Sequence, residues 1–327
     1  MDDLKKYLTR REVLVTGTGL AGLGTVVATS ITSGGLSAFA KEAQGSTSKD
    51  PSSSLPVKAI EEVFGVKGTI EPGGVLLIEL DRDDLHPVAF GIPLKVDIGF
   101  DTEITFQAIS QGAIVKWEMT LLDSEVNPVL DALFNQNLQP KTTNLNALHN
   151  HWLELNPKIK YLHGTAIGDP VHIAKALRDA LEHSHQPFVT SPPGNTHLPN
   201  EEITQIIGGM SMISDSVLSV DVERKETFRE LGIVLEPAMQ VESMFNFQAL
   251  GNGQAAVNAE FILLPDEVDA VARTLREHDF FVMAVHNHEL FIEPNVYYLH
   301  SFATGGPLAL AHAIRDALNK TNSKFVS

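Results

Sequence analysis

The residues best suited to metal binding or catalysis lie in two copies of one histidine-bearing motif. Residues 149–163 read HNHWLELNPKIKYLH, and residues 286–300 read HNHELFIEPNVYYLH, at a constant offset of 137. The histidines shared by the copies are His149, His151, His163, His286, His288 and His300. Neutral imidazole is a ligand for zinc, manganese, iron and copper, and histidine is largely neutral near pH 7. The motif therefore predicts a three-histidine site for a divalent transition metal (Zn, Mn, Fe or Cu) in each copy.

The spacing of apolar residues predicts that each motif is a β-hairpin. Pro157 and Pro294 stand in the middle of the two stretches, where a turn is expected. A hairpin symmetric about Pro157 places His151 opposite His163, with His149 on the same strand face. Directly opposed side chains have Cβ atoms about 5 Å apart. Three imidazoles at that spacing can reach one ion.

Four further residues are candidates for the same site. Glu118 and Glu260 lie four residues before the Leu-Leu end of two equivalent strands and can supply a fourth ligand or a general base. The sequence does not indicate which face of the strand they occupy. Tyr161 and Tyr298 fall on the histidine face and are predicted to line the site, although aromatic strand residues commonly pack a core.

Metal-free functions compete with this interpretation. The histidines can form a structural hydrogen-bond network in a protein that binds a small ligand or an envelope partner, or in a purely structural envelope protein. The HNH string also occurs in nucleases. The net charge of −17 and the duplicated hairpin argue against a nuclease. No motif selects a reaction, so enzymatic activity stays open.

The chain outside the motif predicts helices and strands in the same order twice. The first copy has predicted strands over 75–80, 102–110 and 113–122, and helices near 124–136 and 170–182. The counterparts in the second copy are 217–222, 243–250, 255–264, 266–278 and 307–319. This order predicts an α+β fold of two tandem homologous repeats, each an antiparallel sheet with packed helices and a His-bearing β-hairpin.

Composition divides the chain into five segments. They are a twin-arginine-type signal peptide (1–40), a disordered polar linker (41–54), repeat 1 (55–185), a Pro-rich connector (186–197) and repeat 2 (198–320). Arg10-Arg11 precedes a weakly apolar stretch, and Ala38-Phe39-Ala40 is typical of a cleavage site. Residues 17–22 also match the dinucleotide pattern G-x-G-x-x-G, but no second strand follows them, so no nucleotide is expected.

Charge and cysteine content restrict the partners. With 41 acidic and 24 basic residues, the chain is not expected to bind nucleic acid. No apolar run after the signal is long enough to span a bilayer. The absence of cysteine excludes a lipid-anchored cysteine. We expect an exported protein, periplasmic, cell-wall or secreted, whose small-molecule or envelope partner is unknown.

A family resemblance agrees with export. The chain resembles the LppY/LpqO-related family in the pattern Glu125-Val126, Ala147-Leu-His-Asn-His151, Tyr161-Leu-His163, Asp169-Pro170 and Leu177-Arg178. The resemblance covers residues 56–320. It implies an exported bacterial protein with a domain of unknown function. Some family members are described as lipoproteins, from which this chain departs because it has no cysteine.

Overall fold

Residues 54–136, 138 and 141–326 are described in a computed structural model of the chain. Both repeats lie within one unit, Lys49–Ser327. The predicted signal peptide (1–40) and all but the last residue of the predicted linker (41–54) lie outside the described residues. Among the helices described, none is both long and apolar enough to cross a membrane.

Each repeat contributes three helices and nine strands to the described part of the chain. In repeat 1 they are α1 (Val57–Phe64), β1 (Thr69–Glu71), β2 (Val75–Leu80), β3 (Val88–Ala89), β4 (Ile92–Pro93), β5 (Thr102–Ile109), β6 (Gly112–Leu122), α2 (Val126–Asn135), β7 (Lys141–His149), β8 (Leu155–Asn156), β9 (Ile159–Gly168) and α3 (Pro170–Leu181). In repeat 2 they are α4 (Asn200–Ile207), β10 (Met210–Ser214), β11 (Val217–Val222), β12 (Arg229–Glu230), β13 (Ile233–Val234), β14 (Ser243–Gly251), β15 (Gln254–Leu263), α5 (Val268–Glu277), β16 (Phe281–His286), β17 (Ile292–Glu293), β18 (Tyr297–Gly305) and α6 (Pro307–Leu318).

The two repeats have the same sheet topology. Each forms a six-stranded antiparallel sheet, with order β1-β2-β5-β6-β9-β7 in repeat 1 and β10-β11-β14-β15-β18-β16 in repeat 2. Each also has a small three-stranded sheet, β4-β3-β8 or β13-β12-β17. The predicted α+β class with two tandem repeats is confirmed, and the predicted elements start and end within a few residues of the observed ones.

Alternation along the central strands gives each large sheet two different faces. In β6, Val115, Trp117 and Met119 join the core formed with the helices of repeat 1. The residues between them point to the opposite face because successive strand side chains alternate. On that face, Ile114 packs in a cluster with Tyr298 of repeat 2. Each sheet is therefore covered by its own helices on one face and by the other repeat on the second.

A second cluster shared by the repeats lies across the same interface. Trp152 and Tyr161 of repeat 1 pack with Val217 and Phe302 of repeat 2. Side chains of both repeats therefore fill the space between the two sheets. Any site on the helix-free faces is built from both halves of the duplication.

A buried arginine network is duplicated with the fold. The Arg82 side chain is fully buried and donates hydrogen bonds to Glu125 and Asp84 at 2.8–3.2 Å. Arg224 donates to Glu267 in the same way, at 2.8 and 2.9 Å. Glu125 and Glu267 directly precede α2 and α5. Because the carboxylates satisfy each buried guanidinium, the pairs fix where these helices begin.

The histidine motif differs from the predicted hairpin. Strand β7 does pair with β9, but Ala147 lies opposite His163, and His149 lies opposite Tyr161. The predicted pairing of His151 with His163 is wrong, as is the corresponding pairing in repeat 2, where Ala284 is opposite His300. The reason is that the chain leaves the sheet after the first histidine, and the next strand, β8, joins β3 in the small sheet.

Candidate metal centre

The histidines of the two repeats meet in one cluster between the sheets. His151 Nδ1 of repeat 1 lies 2.6 Å from His300 Nδ1 of repeat 2. The rings of His163 and His288 stack with centroids 3.9 Å apart. The prediction of a separate site in each copy is therefore wrong. The loops after β7 and β16 carry the second histidine of each motif across the interface into the other repeat's half of the cluster.

Two groups of side chains are arranged to hold an ion. Each consists of a glutamate and a histidine from one repeat and a histidine from the other, with one ligand atom per residue and all such atoms within 4.8 Å. The groups are Glu118, His163 and His288, and Glu260, His300 and His151. Each residue of one group has its counterpart from the other repeat in the second group. The groups are therefore related by an approximate two-fold axis.

Strand register places the glutamate and histidine of each group. His163 in β9 is directly opposite Glu118 in β6, and His300 in β18 is directly opposite Glu260 in β15. The side chains approach to 3.4 Å in both pairs, from His163 Nε2 to Glu118 Oε2 and from His300 Nδ1 to Glu260 Oε2. Both glutamates thus face the cluster, which the sequence did not indicate.

The remaining two histidines lie between the groups. The His149 and His286 rings have centroids 3.7 Å apart, and both side chains are only half-buried. With His288 they form a third set whose ligand atoms lie within 4.8 Å of one another. All six predicted histidines therefore lie in one cluster, and this third set shares His288 with the Glu118 group.

Burial holds the imidazoles in their neutral form. It lowers the pKa of His149 to about 3, with help from nearby His286, and lowers the pKa of His286 to about 4. The more deeply buried His151 has its pKa well below the usual value, through burial first and then the neighbouring His300. Neutral imidazole has the lone pair that a metal needs, so these rings are ready to ligate without losing a proton.

Several ring nitrogens lack the partners that a structural network would supply. Among the described residues, neither nitrogen of His149 has a hydrogen-bond partner, and Nε2 of His151 and of His300 are also unpaired. A buried polar atom left unpaired costs about 1–3 kcal/mol. The residues present therefore fit a metal-binding cluster better than a self-satisfied hydrogen-bond network.

The two tyrosines contact the cluster but hydrogen-bond elsewhere. Tyr161 donates to a backbone carbonyl at 2.9 Å, and Tyr298 donates to Glu289 at 3.1 Å. Their rings lie 3.6 Å, centroid to centroid, from those of His151 and His288. Burial, and then nearby carboxylates, raises the pKa of both phenols well above 10. Both tyrosines therefore lie against the histidine cluster as protonated side chains, and their part in lining a functional site stays a prediction.

An ion pair makes the two halves of the site unequal. Lys116 Nζ of repeat 1 lies 2.5 Å from Glu289 Oε1 of repeat 2, and both side chains are buried. The motif position of Glu289 is occupied in repeat 1 by Trp152, which donates to Tyr161 at 3.0 Å. Two ions bound here would therefore have different surroundings.

Carboxylates form a row across the sheet beside the histidines. Glu79 is directly opposite Glu103, which in turn is opposite Glu118. Like charges directly opposite on neighbouring strands destabilise a sheet unless protons or cations neutralise them. In repeat 2 the corresponding row keeps Asp221 and Glu260 but has Met244 between them. The acidic row is thus continuous in repeat 1 only.

These rows line a cavity of about 110 Å³ next to both ion-binding groups. Its lining contains nine carboxylic residues, Glu71, Glu79, Asp97, Asp101, Glu103, Glu118, Asp221, Glu242 and Glu260. Within the described part of the chain, no lysine or arginine lines it. Burial first, and then repulsion from Glu289, raises the pKa of Glu260 to about 8, and burial followed by repulsion from Glu103 raises that of Asp101 to about 8. The cavity therefore favours cations and disfavours anions.

The sequence indicated the histidines, Glu118 and Glu260, but the rest of this acidic lining and Lys116 were not predicted. One signal was available. Glu79, Glu103 and Glu118 each sit in a predicted strand where an apolar residue would be expected if both sheet faces were packed. Polar side chains at such positions indicate a shared polar interior between two sheets.

Comparison with known proteins adds a family but no activity. The family model described as "Domain of Unknown Function (DUF1259)" matches the chain twice, over residues 58–183 and 201–320. No curated protein matches the chain. Among solved structures, the crystal structure of EtuB from Clostridium kluyveri is similar over 70% of this chain and 93% of that chain. Its sequence identity is 12% and its TM-score is 0.19, which carries no argument about fold or function.

Proposed function

The chain belongs to the Domain of Unknown Function (DUF1259) family, and from its site we propose that it is a metalloprotein binding two transition-metal ions between its repeats. The observation that carries this proposal is the pair of Glu-His-His groups, each assembled from both repeats. Two imidazoles and one carboxylate form a ligand set that zinc and iron commonly accept, with positions left open for water or substrate.

The surroundings of the groups support the same proposal. The histidines are neutral, as ligands must be, and several of their nitrogens have no hydrogen-bond partner among the described residues. Glutamates in an acidic cavity repel one another, and divalent ions would balance that charge. The cavity beside the groups gives room for a bound water or a small cationic or neutral molecule.

Metal content tests this function. The purified full-length protein, stripped with chelator and reloaded separately with Zn, Mn, Fe or Cu, is expected to take up two equivalents of at least one metal. Elemental mass spectrometry after gel filtration measures the ratio, and the melting temperature is expected to rise on loading. If no metal is retained and none shifts the melting temperature, the alternative of a metal-free ligand- or partner-binding envelope protein takes its place.

We propose further that the protein is exported through the twin-arginine route. The motif at Arg10-Arg11 and the resemblance to LppY/LpqO-related exported proteins support this proposal. Twin-arginine export carries folded proteins, which suits a protein loaded with metal before it leaves the cytoplasm.

Export has its own test. Replacing Arg10 and Arg11 with lysine is expected to leave the precursor in the cytoplasm of a bacterial host, while the wild-type protein reaches the envelope or the medium. Cell fractionation with immunoblotting distinguishes the two. Normal export of the double-lysine variant would refute the twin-arginine assignment without bearing on metal binding.

A further inference from the structure

A separate group of carboxylates lies at the end of β2, apart from the histidines. Glu79, Asp81 and Asp97 each offer one oxygen, and these three oxygens lie within 4.8 Å of one another. Asp81 and Asp97 are 1% and 6% exposed, so the group is inside the protein and not on its acidic surface. All of its ligand atoms are oxygens, unlike those of the histidine groups.

Asp97 is the member that most needs a partner. Both of its carboxylate oxygens are buried, and neither has a hydrogen-bond partner among the described residues. The nearby Lys95 is already paired with Asp215. Burial raises the pKa of Asp97 to about 8, and repulsion from Asp101 and Asp81 adds to this effect. A buried carboxylate is normally paired, protonated or bound to a metal.

Repeat 2 provides an internal comparison. At the offset of 141 residues that relates Phe106 to Phe247, the counterpart of Asp97 is Ala238. At the offset of 142 that relates Val75 to Val217, the counterpart of Asp81 is Glu223. Glu223 accepts a hydrogen bond from Lys324 Nζ at 2.7 Å.

Repeat 2 reduces the negative charge at these positions in two ways, and neither is found in repeat 1. Repeat 2 has lost one carboxylate and pairs another with a lysine. In repeat 1 the three carboxylates are all present, and the nearby Lys95 is engaged with Asp215. A bound cation would supply the missing compensation.

We propose that Glu79, Asp81 and Asp97 bind one calcium ion. Hard cations take oxygen ligands, and calcium accepts several carboxylates in a flexible arrangement at about 2.3–2.6 Å. Magnesium keeps most of its water and demands near-octahedral geometry, which suits buried, closely spaced carboxylates less well. The adjoining cavity has space for the waters that complete the calcium shell. This site shares no ligand with the two histidine groups.

Calorimetric titration with calcium tests the proposal. The full-length wild-type protein, stripped of metals, is expected to bind one calcium ion. Asp97→Asn is expected to weaken that binding at least tenfold. Asp97→Ala introduces the residue found at the equivalent position of repeat 2 and is also expected to weaken calcium binding at least tenfold. It provides a second test if Asp97→Asn does not fold. The matched control is Glu223→Gln, which removes the repeat 2 counterpart of Asp81, a carboxylate that is paired with Lys324 and is not among the described residues lining the cavity, and is expected to leave calcium affinity unchanged.

Three outcomes overturn the proposal. They are no calcium uptake by the wild-type protein, undiminished uptake by both Asp97 variants, and an equal loss in the Glu223 control. In the first case the carboxylates are held protonated without a ligand. The transition-metal content of the Asp97 variants is expected to stay at two equivalents. A loss of calcium binding can therefore be told apart from a failure of the histidine centre.

Discussion

Removing His163 together with His288 is expected to abolish one transition-metal site and spare the other. These histidines belong to different repeats but to the same Glu-His-His group. Removing His163 together with His151 deletes the same number of imidazoles, both from one repeat, and takes one ligand from each group. Loss of outer-shell partners alone weakens metal binding about 10–100-fold, and loss of a direct ligand is expected to cost at least as much.

The readout is the number of ions that each double-alanine variant retains against a competing chelator. The His163/His288 variant is expected to keep about one equivalent, and the His151/His163 variant to keep none. The mirror variant, His288/His300, is expected to behave like His151/His163, since it also takes one ligand from each group. If each repeat instead had its own site, the results would be reversed, with His151/His163 keeping one ion and His163/His288 losing both.

The metal-free protein is expected to lose stability as the pH rises from 6.5 to 9. Glu260 and Asp101 have pKa values raised to about 8, and Glu242 to about 9, mainly by burial. Their unfolded values lie near 4, so the folded state binds more protons between these limits, and stability falls as the pH rises through that window. His149 and His286, with lowered pKa values, destabilise the fold only below about pH 6.5.

Thermal unfolding followed by circular dichroism measures this effect. A fall in melting temperature of at least about 5 °C is expected for the metal-free protein, since each 1 kcal/mol shifts a protein of this size by about 2–4 °C. The metal-loaded protein is expected to show a smaller fall, because bound ions balance the carboxylates and bind better as protons leave. Glu242→Gln is expected to make the metal-free slope shallower. A metal-free melting temperature that rises steadily over this range would contradict the account.

The architecture followed from the sequence because the duplication and the strand and helix periodicities agree. The helix predicted near 124–136, for example, is observed over Val126–Asn135, and Val126, Val129, Leu130 and Leu133 stand at helical spacing on its buried face. The same holds for β2 and β11, which have the predicted bounds. Local patterns of this kind reflect burial on one face, which a single sequence records directly.

The arrangement of the site could not be predicted in the same way. A turn near Pro157 was predicted, but Leu155 and Asn156 pair with β3 across a sequence distance of more than 60 residues. That long-range pairing moves His151 out of its strand and toward His300 of the other repeat. The contact between the repeats depends on two whole sheets packing face to face. No local spacing of residues specifies it, so one shared centre was predicted as two.

Anomalous X-ray scattering from crystals of the metal-loaded protein, collected at the absorption edge of the bound metal, tests the proposal that both metal sites are shared by the two repeats. Two anomalous peaks are expected at the interface between the repeats. One is expected among Glu118, His163 and His288, and the other among His151, Glu260 and His300. Peaks surrounded by the three histidines of a single repeat, or no peak at the histidine cluster in a protein soaked with each of the four metals, would contradict it.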